Sequence, residues 1–386
     1  MTRDLDPATR LIHAKPPGAR VVRTVGPPIL RGSTVLLDTA AEFYDDSILT
    51  YGRSGLTTHD ALTSALAELE GASSVSLFPS GLAAVTAAMT AVLKAGDEIL
   101  VMDAIYKPTR RFCDNVLTRF GVGVRYHPAN LTAPEILARA GTNTRLIVME
   151  SPGSLTMEMQ DVPGVANLAR EKGILTLADN TWAAGSLFKP LAHGVDISVQ
   201  SLTKYVCGHS DVFMGSAATR DPAIGKALQD AVRDFGWSVS PDDAYQMLRG
   251  LRTLSARLDR HGASSLEVAT WLAGHSAVAE VLHPALPGAP GHEIWARDYD
   301  GAAGLFAIVL RPASPKAVAA FLDALQLFGL GFSWGGFESL ALNGDPQLGS
   351  RDHDTPRAGP IIRLNIGLEA PKDLIADLDQ ALAVFS

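Results

Sequence analysis

Lys204 sits just beyond the apolar run DISVQS (196–201), in the stretch SLTKYVCGHSD, with no carboxylate beside it until Asp211. Lysine is rarely buried without a partner, so a lysine at the end of a core strand needs an explanation. Two further apolar runs lead to reactive groups: ILTLADN (174–180) carries Asp179, and EILVMD (98–103) runs on to Tyr106. In FPSGLAAVTAAMTAVL, Ser80 and Gly81 open a helix of small residues, and the free N–H groups at such a start make an anion site.

Taken singly, each has an ordinary reading: a lysine after a strand is usually on the surface, and an aspartate there usually caps a turn. Their joint order along successive strand ends is the signal, because open α/β sheets bind ligands beyond the carboxyl ends of their strands. An amine, an acid, an aromatic ring and a phosphate cradle together suit pyridoxal phosphate, which needs a lysine for its Schiff base, an acid at its pyridinium nitrogen and a phosphate site. Asp179 then keeps the ring nitrogen protonated, Tyr106 stacks on the ring, and Ser80, Gly81 and Leu82 hold the phosphate with Ser201 and Thr203. Lys204 lacks a neighbouring carboxylate because its partner is an aldehyde.

The elements that must position these groups follow from the pattern of apolar runs. EILVMD, RLIVMES (145–151), ILTLADN and DISVQS are each of strand length, rich in Ile, Val and Leu, and separated by helical stretches or loops. That is the signature of βαβ units with a mostly parallel sheet covered on both faces. HDALTSALAELEG is helical and ends at Gly71. Beyond about residue 245 the pattern changes: QMLRGLRTLSARLDRHGASSLEVATWLAGH reads as one long helical stretch. Strand candidates GLFAIVL (304–310) and IIRLNIG (361–367) then alternate with the helices PKAVAAFLDAL and PKDLIADLDQALAVF. Strand alternation in IIRLNIG puts Arg363 and Asn365 on one face and Ile362, Leu364 and Ile366 on the other. The expected division is an arm over 1–55, a large domain over 56–245 and a small domain over 246–386.

Composition narrows the function classes. The 386 residues are 47% apolar and 19% charged, with 33 basic against 41 acidic residues and a formal charge of −8. This is a globular chain with ample core, and without a Lys/Arg-rich stretch it is not expected to bind nucleic acid. From Gly71 to Leu93 the chain is uncharged, but Ser73, Ser74, Ser76, Pro79, Ser80 and Gly81 break the run, so a strand and a helix start fit better than a membrane span. Cys113 and Cys207 read as reduced thiols, and the N-terminus has no apolar signal segment, so a soluble, cytoplasmic protein is expected. No metal site is expected: the ten histidines are scattered, and His283 and His292 read as ordinary loop residues.

Longer stretches carry a specific resemblance: YGRSGLTTH (51–59), FPSGLAAV (78–85), ESPGSLTMEMQDVP (150–163), ADNTWAAG (178–185), SLTKYVCGHSD (201–211), GLRTLSARLDRH (250–261), HPALPGAPGHEIWARDY (283–299), SWGGFESL (333–340) and RLNIGLE (363–369). With these motifs in order from about residue 10 to the C-terminus, the chain resembles the Cys/Met-metabolism family of pyridoxal-phosphate enzymes. The resemblance implies an α/β fold of the PLP-dependent transferase type (aspartate aminotransferase-like, fold type I), with a large, mostly parallel sheet domain and a smaller C-terminal α/β domain. It implies that Lys204 is the Schiff-base lysine, Asp179 its pyridinium partner and Tyr106 the stacking ring, and that Gly81, Leu82, Ser201 and Thr203 bind phosphate. Tyr51 and Arg53 match residues that reach the phosphate of a neighbouring subunit, which implies a shared site and a homotetramer built from two dimers. Arg363 matches the arginine that grips a substrate α-carboxylate, with Ser333 and Trp334 beside it.

The activity implied is β-elimination of L-cystathionine, a small amino-acid substrate, to homocysteine, pyruvate and ammonia in methionine biosynthesis. Family members with γ-chemistry tend to carry Asn in a Glu-(Thr/Ser)-Pro-x-Asn-Pro segment, where this chain has Glu150-Ser151-Pro152-Gly153-Ser154. A γ-lyase or γ-synthase, and a β-lyase of cysteine or other cysteine S-conjugates, stay open as alternatives. A different class is suggested only by short strings. GFSWG (331–335) fits the G-x-S-x-G nucleophile elbow at Ser333, with Asp345 and His353 following too closely for a triad. Ser201-Leu-Thr-Lys204 fits S-x-x-K, a motif that should open a helix and travel with partners absent here.

Overall fold

The computed structural model describes residues 24–45, 47–353 and 356–385. Residues 24–56 form an extended arm with two short 3-10 turns, Ala40–Tyr44 and Gly52–Ser54, and one bridge from Thr34 to Tyr51. Residues 1–23 of the expected arm lie outside the described residues. The arm buries little of itself: Val25, Leu36 and Tyr44 are 99%, 91% and 94% exposed.

The large sheet holds β1 (Ser74–Phe78), β2 (Glu98–Met102), β3 (Gly123–His127), β4 (Thr144–Glu150), β5 (Leu175–Asp179), β6 (Ile197–Ser201) and β7 (Gly215–Thr219). Their spatial order is β1-β7-β6-β5-β4-β2-β3. From β6 to β3 the strands are parallel, and β7 runs antiparallel between β6 and β1. Alternate residues feed opposite faces: Leu100, Ile147 and Met149 join one apolar cluster, while Ile99, Val101, Leu146 and Val148 join another. A strand covered on both sides favours apolar residues at successive positions, which is why β2 and β4 appear in the sequence as nearly unbroken runs. The helix Thr57–Glu70 ends at Gly71 in the left-handed conformation (φ 63°), a conformation that glycine adopts without steric cost.

A second sheet is built from β8 (Val278–Leu282), β9 (Leu305–Leu310), β10 (Gly329–Leu330), β11 (Leu340–Asn343) and β12 (Ile361–Asn365), in the order β10-β11-β12-β9-β8. Ile362, Leu364 and Ile366 face an apolar cluster that includes Val268, Leu272, Leu374 and Leu378 from the helices Leu254–Ala273 and Pro371–Leu382. That is the face strand alternation assigns them.

Two expectations need correction. The single long helix expected after residue 245 is two, Pro241–Leu251 and Leu254–Ala273, broken at Arg252 and Thr253. The break is held by Arg257, whose guanidinium donates to the carbonyls of Gly250 (2.8 Å), Tyr205 (2.6 Å) and Val206 (3.3 Å), so one side chain caps the first helix and grips the turn after Lys204. His283 is no ordinary loop residue. It is fully buried, accepts from the Ala285 amide and lies 3.2 Å from the Ser265 hydroxyl, and burial pushes its pKa down to about 4.

Candidate active site

The carboxyl ends of β2, β4, β5 and β6 open onto a cavity of about 260 Å³. Lys204 enters it from a turn that follows β6, closed by the Lys204 amide donating to the Ser201 carbonyl (3.1 Å). The hydroxyl of Thr203 ties this turn to the lead into β7, donating to the Met214 carbonyl (3.2 Å) and accepting from the Met214 amide (3.0 Å). Lys204 Nζ donates to the Ser333 hydroxyl at 3.0 Å and lies 5.3 Å from the centre of the Trp334 ring. Burial, then the nearby Arg363 cation, push its pKa down to about 8, against a smaller opposing pull from Asp179. No carboxylate pairs with it among the described residues, and the amine is therefore close to losing its proton near neutral pH.

Asp179 is the last residue of β5. Its hydrogen bonds to described residues fall on Oδ1, from the Thr181 amide (3.0 Å) and the Thr181 hydroxyl (2.5 Å). Burial raises its pKa despite those bonds and the charge of Lys204, as expected for a carboxylate that lacks a close cation. Glu150, the last residue of β4, stands in register with Asp179 on the adjacent strand. Its Oε2 accepts from the Tyr106 amide at 2.7 Å and so fixes the residue that starts the helix Lys107–Phe112. Burial, and then the Asp179 charge, hold the Glu150 carboxyl well above the usual carboxylate range. Burial thus raises both carboxyls, and the charge of Asp179 raises Glu150 further.

The phosphate end is built around the helix Gly81–Val92. Ser80 caps it, its hydroxyl accepting from the Ala83 amide (3.1 Å). The amides of Gly81 and Leu82 have no carbonyl of their own helix within reach, and both residues line the cavity. A Cβ at Gly81 would overlap Ser201, and one at Gly215 would overlap the Ser80 carbonyl, so glycine at both positions brings the helix start against the ends of β6 and β7. The glycine that opens β7 has its reason here.

Arg363 approaches from β12 of the second sheet. Its Nη2 donates to the carbonyls of Gly331, Phe332 and Ser333 (3.1, 3.0 and 2.9 Å), which fixes the loop carrying Ser333 and Trp334. Its buried Nε has no hydrogen-bond partner among the described residues, and burial pushes the guanidinium pKa down to about 10. A carboxylate in the cavity is the ligand such a guanidinium lacks.

Gly81, Leu82, Tyr106, Asp179, Ser201, Thr203, Lys204, Trp334 and Arg363 all line this cavity, and Ser333 joins it through its bond to Lys204. Tyr51 and Arg53 do not: the Arg53 guanidinium lies 5.5 Å over the Tyr51 ring, and Arg53 lines a separate hollow with His59 and Trp237. The sequence reading gave Glu150 no role, although a carboxylate at a strand end one strand from Asp179 was a usable signal. The serine-hydrolase strings do not assemble. Asp345 accepts from the Ile361 amide, the His353 amide donates to Asp103, and Ser201 leads into a turn rather than a helix. No group of three or more metal-ligating side chains occurs among the described residues.

These observations fit pyridoxal phosphate: an amine without an acid partner, an acid without a cation, and a helix start with room for an anion. Together with the two sheets they define a PLP-dependent enzyme of α/β fold. The sequence model of the Cys/Met metabolism PLP-dependent enzymes matches residues 8–383, and the chain belongs to that family. It is 47% identical over 374 residues to a putative cystathionine beta-lyase of Rhizobium johnstonii, covering 94% of this chain and 92% of that protein. It is 40% identical over 387 residues to cystathionine beta-lyase MetC of Escherichia coli, covering 97% and 98%. The crystal structure of metB from Corynebacterium glutamicum superposes with a TM-score of 0.89 at 31% identity, covering 98% of both chains.

Proposed function

We propose that the chain is a PLP-dependent carbon–sulfur lyase that splits L-cystathionine by β-elimination into homocysteine, pyruvate and ammonia, and so serves methionine biosynthesis. Relatives named cystathionine beta-lyase at 38–47% identity over most of the chain support the reaction. The observation that carries the site is the convergence of Lys204, Asp179 and the unpartnered Nε of Arg363 on one cavity. Lys204, Asp179 and Tyr106 are its catalytic residues. Gly81, Leu82, Ser201 and Thr203 hold phosphate, and Arg363, Ser333 and Trp334 receive the substrate.

When bound, pyridoxal phosphate supplies an aldehyde for the amine and an electron-poor ring that draws electrons from the substrate α-carbon. Asp179 holds a proton at the ring nitrogen through its charge, and Tyr106 covers the ring face. Arg363 orients the substrate through its α-carboxylate, leaving the α-hydrogen within reach of Lys204. With a pKa near 8, Lys204 Nζ is a base matched to neutral pH and removes that proton. The Cβ–S bond then breaks with its electron pair on sulfur, Lys204 Nζ returns the proton it took so that homocysteine leaves as the thiol, and water converts the three-carbon remainder to pyruvate and ammonia. Ser333 accepts from Lys204 Nζ and so keeps the amine directed into the cavity.

Among the described residues the cavity is lined by two cations, Lys204 and Arg363, and neither belongs to the helix start that would hold a phosphate dianion. We therefore assign Tyr51 and Arg53 to the phosphate of a second copy, with the exposed arm lying across that copy. Two such dimers form the tetramer. The chain divides into an arm over 1–55, a cofactor domain over 56–245 and a small domain over 246–386. The free, buried thiols Cys113 and Cys207 favour a reducing, cytoplasmic setting.

The test is to incubate the PLP-loaded protein with L-cystathionine and identify the products by mass spectrometry. Pyruvate with homocysteine is expected. 2-Oxobutyrate with cysteine would replace the β-reading with γ-elimination, and no product from the loaded protein would overturn the substrate.

A further inference from the structure

Tyr205 follows Lys204 directly and is buried at the junction of the two sheets. Its hydroxyl oxygen accepts from the Gly304 amide (2.9 Å) and the Leu305 amide (3.1 Å), at the start of β9. The carbonyl of the same Leu305 accepts from Trp182 Nε1 at 2.9 Å, and Trp182 lies three residues after Asp179. Leu305 itself lines the cavity. One residue of the second sheet is thus held at its amide and at its carbonyl, by side chains that neighbour the amine and the acid.

From Leu305 the strand register leads to the carboxylate grip. Leu305 pairs with Asn365 and Ala307 with Arg363, so Arg363 stands two residues along β12 from the held pair. Asn365 is fully buried. Its Oδ1 accepts from the Gly335 amide (3.0 Å) and its Nδ2 donates to the Glu338 carbonyl (2.9 Å), which fixes the chain just after Ser333 and Trp334. Gly335 in turn packs on the Lys204–Tyr205 peptide, where a Cβ would stand 3.0 Å from the Tyr205 nitrogen. The Trp334 ring meets the Tyr205 ring edge-on at 5.5 Å. The path runs from Tyr205 through Leu305, Asn365 and Gly335 and closes on Tyr205 again.

We propose that the Tyr205 hydroxyl and the Trp182 indole N–H clamp Leu305 and so set the separation between the Lys204 amine and the Arg363 guanidinium. Both are positioning residues, because each acts through Leu305. The inference rests on the lyase reading for the roles of Lys204 and Arg363, and adds how their spacing is fixed. A substrate held by its carboxylate presents its α-hydrogen to the amine only when that spacing is right, and a misplacement of about 1 Å costs about 100-fold in rate. The hydroxyl oxygen carries the effect of Tyr205. Phenylalanine there would keep the ring contact with Trp334 and leave two buried amides without their acceptor.

The experiment measures the acylation midpoint of Lys204 in the cofactor-free protein, by peptide mass spectrometry across pH, for wild type, Tyr205→Phe, Trp182→Phe and Phe321→Leu. Burial and then the Arg363 cation hold the amine at about 8, against the pull of Asp179. A loosened clamp admits water to Lys204 and lets Arg363 draw away. The midpoint should therefore rise toward the ordinary lysine value of about 10.4 in Tyr205→Phe and in Trp182→Phe. Phe321→Leu weakens an apolar cluster of the second sheet to which Leu305 does not belong, and should keep the wild-type midpoint. In the PLP-loaded clamp variants, kcat for L-cystathionine per bound cofactor should fall about 10- to 100-fold with a smaller change in KM, since Arg363 still receives the carboxylate. A wild-type midpoint in both clamp variants, or an equal rise in Phe321→Leu, would overturn the clamp. A wild type that releases no thiol from L-cystathionine would overturn the lyase reading alone, because the midpoint is read without substrate.

Discussion

Lys204 Nζ and the Ser333 hydroxyl meet at 3.0 Å although 129 residues of chain separate them, so the amine that follows the large sheet is directed by a loop of the second sheet's region. That loop is itself held by Arg363 through three carbonyls. In the cofactor-free protein the Lys204 amine should titrate near pH 8 rather than near the ordinary lysine value of about 10.4. The pH dependence of its acylation, followed by peptide mass spectrometry, measures this. Ser333→Ala removes an acceptor that favours the charged amine and should move the midpoint lower still; a midpoint at the ordinary lysine value would contradict the geometry.

Arg363 should matter through its planar fork as much as through its charge. Arg363→Lys keeps a cation but loses the paired donors and the grip on residues 331–333. A loss of about 10- to 100-fold in kcat/KM is expected, with Arg363→Ala worse. Steady-state kinetics with the PLP-loaded variants checks it, and an unchanged PLP absorbance would separate substrate binding from loss of the cofactor.

Glu150 should make stability depend on pH in a stated direction. Its folded pKa is raised above the unfolded value by burial and by Asp179, so its contribution is fully present below the unfolded value of about 4.3 and is lost as pH rises through the folded pKa. Relative to Glu150→Gln, which keeps an acceptor for the Tyr106 amide, the cofactor-free wild type should lose stability as pH rises from acid toward neutral. Denaturant titrations of both proteins across that range measure the difference; parallel curves would mean that Glu150 titrates alike in the folded and unfolded chain and that burial does not raise its pKa.

A shared site predicts complementation. Lys204→Ala and Arg53→Ala should each be impaired alone. In a mixed dimer one site carries both lesions and the other carries neither, so activity should reappear when the two are unfolded and refolded together. Activity that stays at the average of the separate variants would place Arg53 in its own chain's site or in none.

Much of the fold was legible because strands covered on both faces are rich in apolar residues. β2 and β4 are nearly continuous runs, and β5 and β6 are interrupted only by buried polar residues with partners, Thr176 on Asp196 and Ser198 and Gln200 on Glu70. β7 escaped because GSAAT has one β-branched residue, Thr219, and no aromatic; its first residue, Gly215, answers to the helix start packed over it, a tertiary demand that local pattern does not record. The break at Arg252 and Thr253 was hidden for a similar reason, since Arg257 makes it by binding carbonyls from a distant turn. The candidate site was readable where each residue ends a strand or starts a helix, as Asp179, Lys204 and Gly81 do. The bond from Glu150 to the Tyr106 amide depends on strand register, and the position of Ser333 depends on how the second sheet docks, so neither could be read locally.

The most direct test of the central claim is to reduce the PLP-loaded protein with borohydride, digest it and locate the pyridoxyl group by mass spectrometry. The account predicts a single modified lysine, Lys204, in the peptide that contains SLTKYVCGHSD. A pyridoxyl group on another lysine, or none on a protein that binds the cofactor, would contradict it.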